Sequence, residues 1–164
     1  MNKKLLLAIP IILSLIGGLA YADDVNVTSQ VSKSMSAIFQ YIAVDFGTLS
    51  KDTVSNAPTP DNTVGEYNVT VDTNYEYKFT ANATDFDDGL GHNFDVANLQ
   101  MDAEPVAGDL SYVGAYTMDH SDTIIANNLD PSVTTLYLGY WLSIPATQYA
   151  SSYYSTNSCT VANV

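Results

Sequence analysis

Three groups of residues in this 164-residue chain are of types that could do chemistry. Residues 85–95, DFDDGLGHNFD, place Asp85, Asp87, Asp88 and Asp95 with His92 around two glycines. Oxygen ligands at such density suit a Ca²⁺ loop, but the D-x-[DN]-x-[DN]-G spacing is not met, because Gly89 follows one position too early. A looser Ca²⁺ site on these four aspartates, or a hairpin tip with solvated acids, are the two readings. Zn²⁺ would want three good ligands, and His92 is the one imidazole in the stretch. The second group, Asp119-His120-Ser121-Asp122, holds all three residue types of a hydrolytic triad side by side. Neighbouring side chains on a strand point to opposite faces, so this order does not build a triad. The third, Cys159, has no His or Lys nearby in sequence to lower its pKa, and an inert thiol is expected. With no arginine and no Gly-rich phosphate loop, nucleotide chemistry has no support. No catalytic residue and no enzymatic activity are expected.

The elements that would carry these residues follow a secretory leader. Lys3 and Lys4, an apolar run from Leu5 to Leu19 broken by Pro10, and Ala20-Tyr21-Ala22 have the layout of a cleaved signal peptide over residues 1–22. Cleavage there leaves 142 residues, secreted and without a transmembrane anchor. All 18 acids lie in that mature part against three lysines, a net charge of −15. Such a surface repels phosphate backbones, so nucleic acid is excluded as a partner. A single cysteine allows no internal disulfide, and stability must come from the core, ions, glycans or neighbouring subunits.

Period-two patterning dominates the mature chain. From Tyr67 to Ala83 the odd positions are mostly apolar or aromatic and the even ones polar, which predicts two strands, or one strand bent at Asp72-Thr73-Asn74. Leu136, Leu138, Tyr140, Leu142 and Ile144 form one face of another strand, and a terminal strand is expected between Ser152 and Val164. Shorter candidates are Phe94–Met101, Leu110–Met118 and Thr123–Ile125. Residues 34–42 fit either a short helix capped by Ser34 or a strand, with strand preferred, and IAVDFGTL reads as a strand ended by Gly47. Asn56–Gly65 is a loop by composition. The fold class is all-β, a single antiparallel β-sandwich of the jelly-roll or Ig-like type over residues 34–164. Of the 12 tyrosines, several at odd strand positions are expected in the core, with a carbohydrate-binding face as the rival reading. Asn26, Asn68 and Asn82 each begin an N-x-[ST] sequon, the last two on the polar face.

The order of certain pieces resembles secreted β-sandwich proteins of bacterial and archaeal surfaces, among them the TasA/camelysin biofilm-fibre proteins and the archaeal bundling pili. The resembling residues are Val44-Asp45-Phe46-Gly47-Thr48-Leu49, then Ala83-Thr84-Asp85-Phe86, Phe94-Asp95-Val96-Ala97-Asn98-Leu99, and Leu142-Ser143-Ile144-Pro145 leading to Tyr153. What the resemblance implies is a structural subunit of an extracellular fibre whose partner is itself, a homopolymer joined by donor-strand complementation. The donor would be residues 23–33, inserting Val25, Val27 and Val31 into the next subunit. The alternative function is a monomeric cell-surface adhesin or carbohydrate-binding module that meets surface glycans.

Overall fold

The computed structural model describes residues 30–41 and 43–164. Eleven strands follow in order: β1 Met35–Phe39, β2 Thr53–Asn56, β3 Asn68–Thr73, β4 Tyr77–Ala83, β5 Phe86–Asp87, β6 Asn93–Phe94, β7 Leu99–Glu104, β8 Tyr116–Thr117, β9 Thr123–Leu129, β10 Thr135–Ile144 and β11 Asn157–Asn163. One sheet runs β1-β3-β10-β7-β8, with β2 also on β10; the other is β11-β4-β9, and β5 pairs with β6 alone. Every pairing is antiparallel. The protein is an all-β sandwich.

Tyr67, Val69 and Val71 are buried from the larger sheet, and Tyr77, Phe79, Ala81 and Ala83 from the smaller one. The odd-inward alternation thus continues unbroken across Asn74-Tyr75-Glu76. Yet β3 and β4 do not pair. The chain crosses from one sheet to the other, and both strands turn their odd residues toward a shared core. A period-two pattern looks the same in a hairpin and in such a crossing, because it records which face is dry and not which strand is adjacent.

The ten-residue β10 is central. Leu136, Leu138, Tyr140 and Leu142 are all buried on its inner face, as their spacing predicts. One side pairs with β7 from Tyr137 to Leu142. The other side is completed piecewise, always at even-numbered residues. Val71 N–H donates to Thr134 O, and Leu138 N–H to Tyr67 O. Next, the side chain of Asn62 takes the place of a strand: Tyr140 N–H donates to its Oδ1 at 3.0 Å, and its Nδ2 donates to Tyr140 O at 2.9 Å. Asn56 Nδ2 then donates to Leu142 O. Asn62 is 3% exposed, so the segment that composition marks as loop supplies a buried part of the sheet.

Other local expectations change. Residues 43–50 form no strand: Val44 and Phe46 lean on the core as alternation requires, but Leu49, out of step with them, leans on it too, and Asp45 O accepts from Thr59 N–H in a loop. Of Leu110–Met118 only Tyr116–Thr117 joins a sheet, and Phe94–Met101 is interrupted by a 3₁₀ turn at Val96–Asn98. Strand, not helix, is found at Met35–Phe39.

Replacing Asn62 by alanine leaves Tyr140 N–H and C=O unpaired in a dry interior, at about 1–3 kcal/mol for each stranded group. We expect urea unfolding of Asn62→Ala to show roughly 2–5 kcal/mol lost, whereas the exposed neighbour Thr63→Ala changes little.

Candidate functional site

The acidic stretch is a hairpin. Phe86 pairs with Phe94 and Asp87 with Asn93, leaving a five-residue loop, Asp88 to His92, in which Gly89 and Gly91 take φ of +71° and +95°. Asp88-Gly89 is therefore the start of a longer loop and not a two-residue turn. The carboxylates are employed locally. Asp88 Oδ1 accepts from Leu90 and His92 N–H, and its Oδ2 contacts His92 Nδ1 at 2.7 Å. Asp87 accepts from Gly89 N–H, Asp95 caps the next turn through Ala97 N–H, and Asp85 accepts from Val96 N–H. Among the described residues, no three or more His, Cys, Asp or Glu side chains come together where they could hold a metal ion. Burial works to raise the Asp88 pKa, but the hydrogen bonds from His92, Leu90 and Ser151 outweigh it and hold the carboxyl well below the usual carboxylate range.

The hairpin is fastened to the segment before β11. Asp87 and Tyr154 exchange both backbone hydrogen bonds at 3.0 Å. The His92 ring stacks on Tyr149 at 4.3 Å, Phe86 on Phe94 at 4.6 Å, and Tyr153 meets Phe94 edge-on. Asp119-His120-Ser121-Asp122 assembles no triad: His120 Nε2 contacts Asp85 Oδ1 at 3.1 Å, and Ser121 Oγ turns to Asp119. Of the sequon asparagines, Asn68 Nδ2 donates to Gly65 O and Asn82 Nδ2 to Asp122 Oδ1, so neither amide is free in solvent. Asn26, Val25 and Val27 lie outside the described residues, as does the leader over residues 1–22, and Val31 is 79% exposed. No helix among the described residues is long and apolar enough to cross a membrane.

A groove adjoins the acidic hairpin. A sheet of six strands faces a sheet of three. The three cannot cover the six, and because β9 packs on β7 the uncovered part lies on the β1 and β11 side. There a groove of about 1090 Å³ opens between β10 and β11, walled by residues 43–49, the acidic hairpin and residues 148–155. Its lining is largely apolar, with Phe46, Leu49, Leu142, Ile144, Phe86 and Phe94 all contributing.

Beside it, β11 is an open edge. Thr84 N–H donates to Thr156 O and Val164 N–H to Glu76 O, so the even-numbered residues of β11 serve the β4 ladder. The odd ones, Asn157, Cys159, Val161 and Asn163, aim N–H and C=O outward, where no strand among the described residues meets them. Such an edge is a template for a further strand.

The groove floor is polar. Tyr41 and Tyr140 share a hydroxyl–hydroxyl hydrogen bond; Cys159 Sγ donates to Asn157 Oδ1 and lies within reach of both hydroxyls. Burial pushes the Cys159 thiol up to about 11, so it stays protonated at neutral pH and is a poor nucleophile. Tyrosine positions divide: Tyr67, Tyr77 and Tyr140 are core, whereas Tyr112, Tyr116, Tyr149 and Tyr154 are exposed. Sequence reasoning missed the groove, because its walls come from segments far apart in the chain; the odd side of β11 has no signal in sequence at all. No protein-family model, curated protein or solved structure matches this chain.

A carboxylate with a depressed folded pKa lends stability above its unfolded value near 3.9 and loses it as pH falls through the folded value. In an NMR titration we expect the Asp88 carboxyl, and with it the Leu90 and His92 amide shifts, to move at a pH clearly below 3.9. Asp88→Asn should displace both amide signals already at pH 7. A midpoint near 4 would contradict the hydrogen-bonded loop.

Proposed function

We propose that this chain is a secreted structural subunit of an extracellular filament, polymerising when residues 23–33 of one copy add as a strand to β11 of the next. The observation that carries the reading is the free edge of β11 standing beside an apolar groove. Main-chain hydrogen bonds along such an edge supply affinity, and pockets for alternate side chains supply specificity. Residues 23–33 suit it: Val25, Val27 and Val31 recur at even separation, with Asn26, Thr28 and Gln30 on the alternate positions between them. Eleven residues of extended chain reach about 36 Å, more than the roughly 23 Å of the seven-residue β11. Catalysis has no place in this reading.

A second reading is favoured by one observation. Tyr149 and Tyr154 stand exposed at the groove wall, and their ring faces could stack on sugars, as an adhesin or carbohydrate-binding module requires.

Two variants of the chain from Asp23 onward test the first reading. Deleting residues 23–33 should leave a monomer by size-exclusion chromatography where the parent forms filaments under the electron microscope. Val161→Pro removes an outward N–H without costing a β4 hydrogen bond, as edge strands tolerate, and should also give folded monomers. Because each subunit carries a net −15, raising salt from about 10 to 150 mM shortens the screening length from about 30 to 8 Å and should promote assembly. Filaments formed by the deletion variant would refute the mechanism, and glycan binding lost on Tyr154→Ala in a persistent monomer would favour the second reading.

A further inference from the structure

The groove is lined by both apolar and polar side chains, and one polar cluster in it is specific. Its floor holds two tyrosine hydroxyls, a thiol and an amide. Tyr41 and Tyr140 bond to one another, and Cys159 S–H goes to Asn157 Oδ1. The remaining hydroxyl proton can turn to Cys159 Sγ. Asn157 Nδ2 is left over, enclosed and without a hydrogen-bond partner among the described residues. The floor therefore leaves the two N–H donors of Asn157 Nδ2 with no acceptor in reach. A stranded buried donor costs about 1–3 kcal/mol, and Asn157 as a residue is half-buried beside the groove, so a side-chain rotation can present the amide to an occupant.

The incoming segment carries the matching irregularity. Its inward-facing parity, if the valines face in, is Val25, Val27, Ser29 and Val31. Between Val25 and Val31, Ser29 is the one polar residue in that row, which Asp23 and Lys33 bound at its ends, and its hydroxyl is both acceptor and donor. We propose that the groove admits the segment in one register only, with Ser29 of a second copy seated on the floor formed by Tyr41, Tyr140, Asn157 and Cys159, and Val27 and Val31 against the apolar lining on either side. The proposal rests on the donor-strand reading above. A slip of one residue would turn Asn26, Thr28 and Gln30 inward, and a slip of two would press a valine onto the unpaired amide while burying Ser29 among apolar side chains. Both are penalised, so the polar floor acts against wrong registers as well as for the right one.

Cys159, the chain's one thiol, reports the register directly. In the chain from Asp23 onward, Ser29→Cys places a second thiol next to Cys159 of the neighbour, within the Cα separation of about 4.4–6.8 Å that a disulfide needs. With diamide accepting the two electrons and two protons released, we expect a ladder of disulfide-linked multimers on a non-reducing gel from Ser29→Cys. Val27→Cys and Val31→Cys should give little. Independently, Ser29→Val should raise the critical concentration for filaments about tenfold, Thr28→Val on the opposite face should not, and adding Asn157→Val to Ser29→Val should restore most of the loss. A ladder from Val27→Cys or Val31→Cys in place of Ser29→Cys, or unchanged assembly of Ser29→Val, overturns the register while donor-strand exchange stands, provided deletion of residues 23–33 abolishes filaments. Filaments that survive that deletion, or none from the parent chain, overturn both.

Discussion

Burial of β10 is the constraint on which the remaining structure depends. Its ten residues lie at the middle of the larger sheet, so both rows of backbone groups have left water and each needs a partner. On one side β7 supplies them continuously. On the other side β3, Tyr67, the Asn62 side chain and Asn56 supply them in turn. The path of residues 53–67 is set by this requirement more than by any local preference. A segment with proline and turn residues cannot form a regular strand there, so an asparagine side chain, which carries a donor and an acceptor in the geometry of a peptide group, stands in for one.

The inequality of the two sheets shapes the molecule's grooved surface. Three strands cover part of a six-stranded face, and the chain fills the remainder with an irregular segment, residues 43–49, together with the acidic hairpin and residues 148–155. These walls leave a groove, and half the backbone groups of the strand bordering it meet no strand among the described residues. Under the proposed function this arrangement is what another chain would complete: the same physics that makes an open edge an aggregation hazard makes it an assembly site once the occupant is specified.

The residues that look most reactive in sequence serve shape. Asp85, Asp87, Asp88 and Asp95 each accept backbone N–H groups within a few residues or across the adjoining hairpin. Short acidic side chains do this well because they reach neighbouring amides that no ladder satisfies. The hairpin so stiffened is stacked on Tyr149 and Tyr153 and becomes one wall of the groove.

Much of the fold was legible in sequence because alternation records which side of a strand is dry. It marked the inner faces of β3, β4 and β10 correctly, down to Val69, Phe79, Leu138 and Tyr140, and it excluded long helices. Alternation says nothing about which strand lies beside which. Tertiary structure alone decided that the strands on either side of Asn74 belong to opposite sheets, and that residues 43–49, where Val44 and Phe46 turn inward as in a strand, join no sheet among the described residues. It also decided that Asn62, in a composition typical of loops, is buried. The groove follows the same rule: Tyr41, Tyr140, Asn157 and Cys159 are spread over more than a hundred residues, and only the packing of one sheet on another brings their polar atoms to one floor. Local pattern measures water exclusion, a property of each residue's own face; adjacency depends on where distant parts of the chain run out of partners.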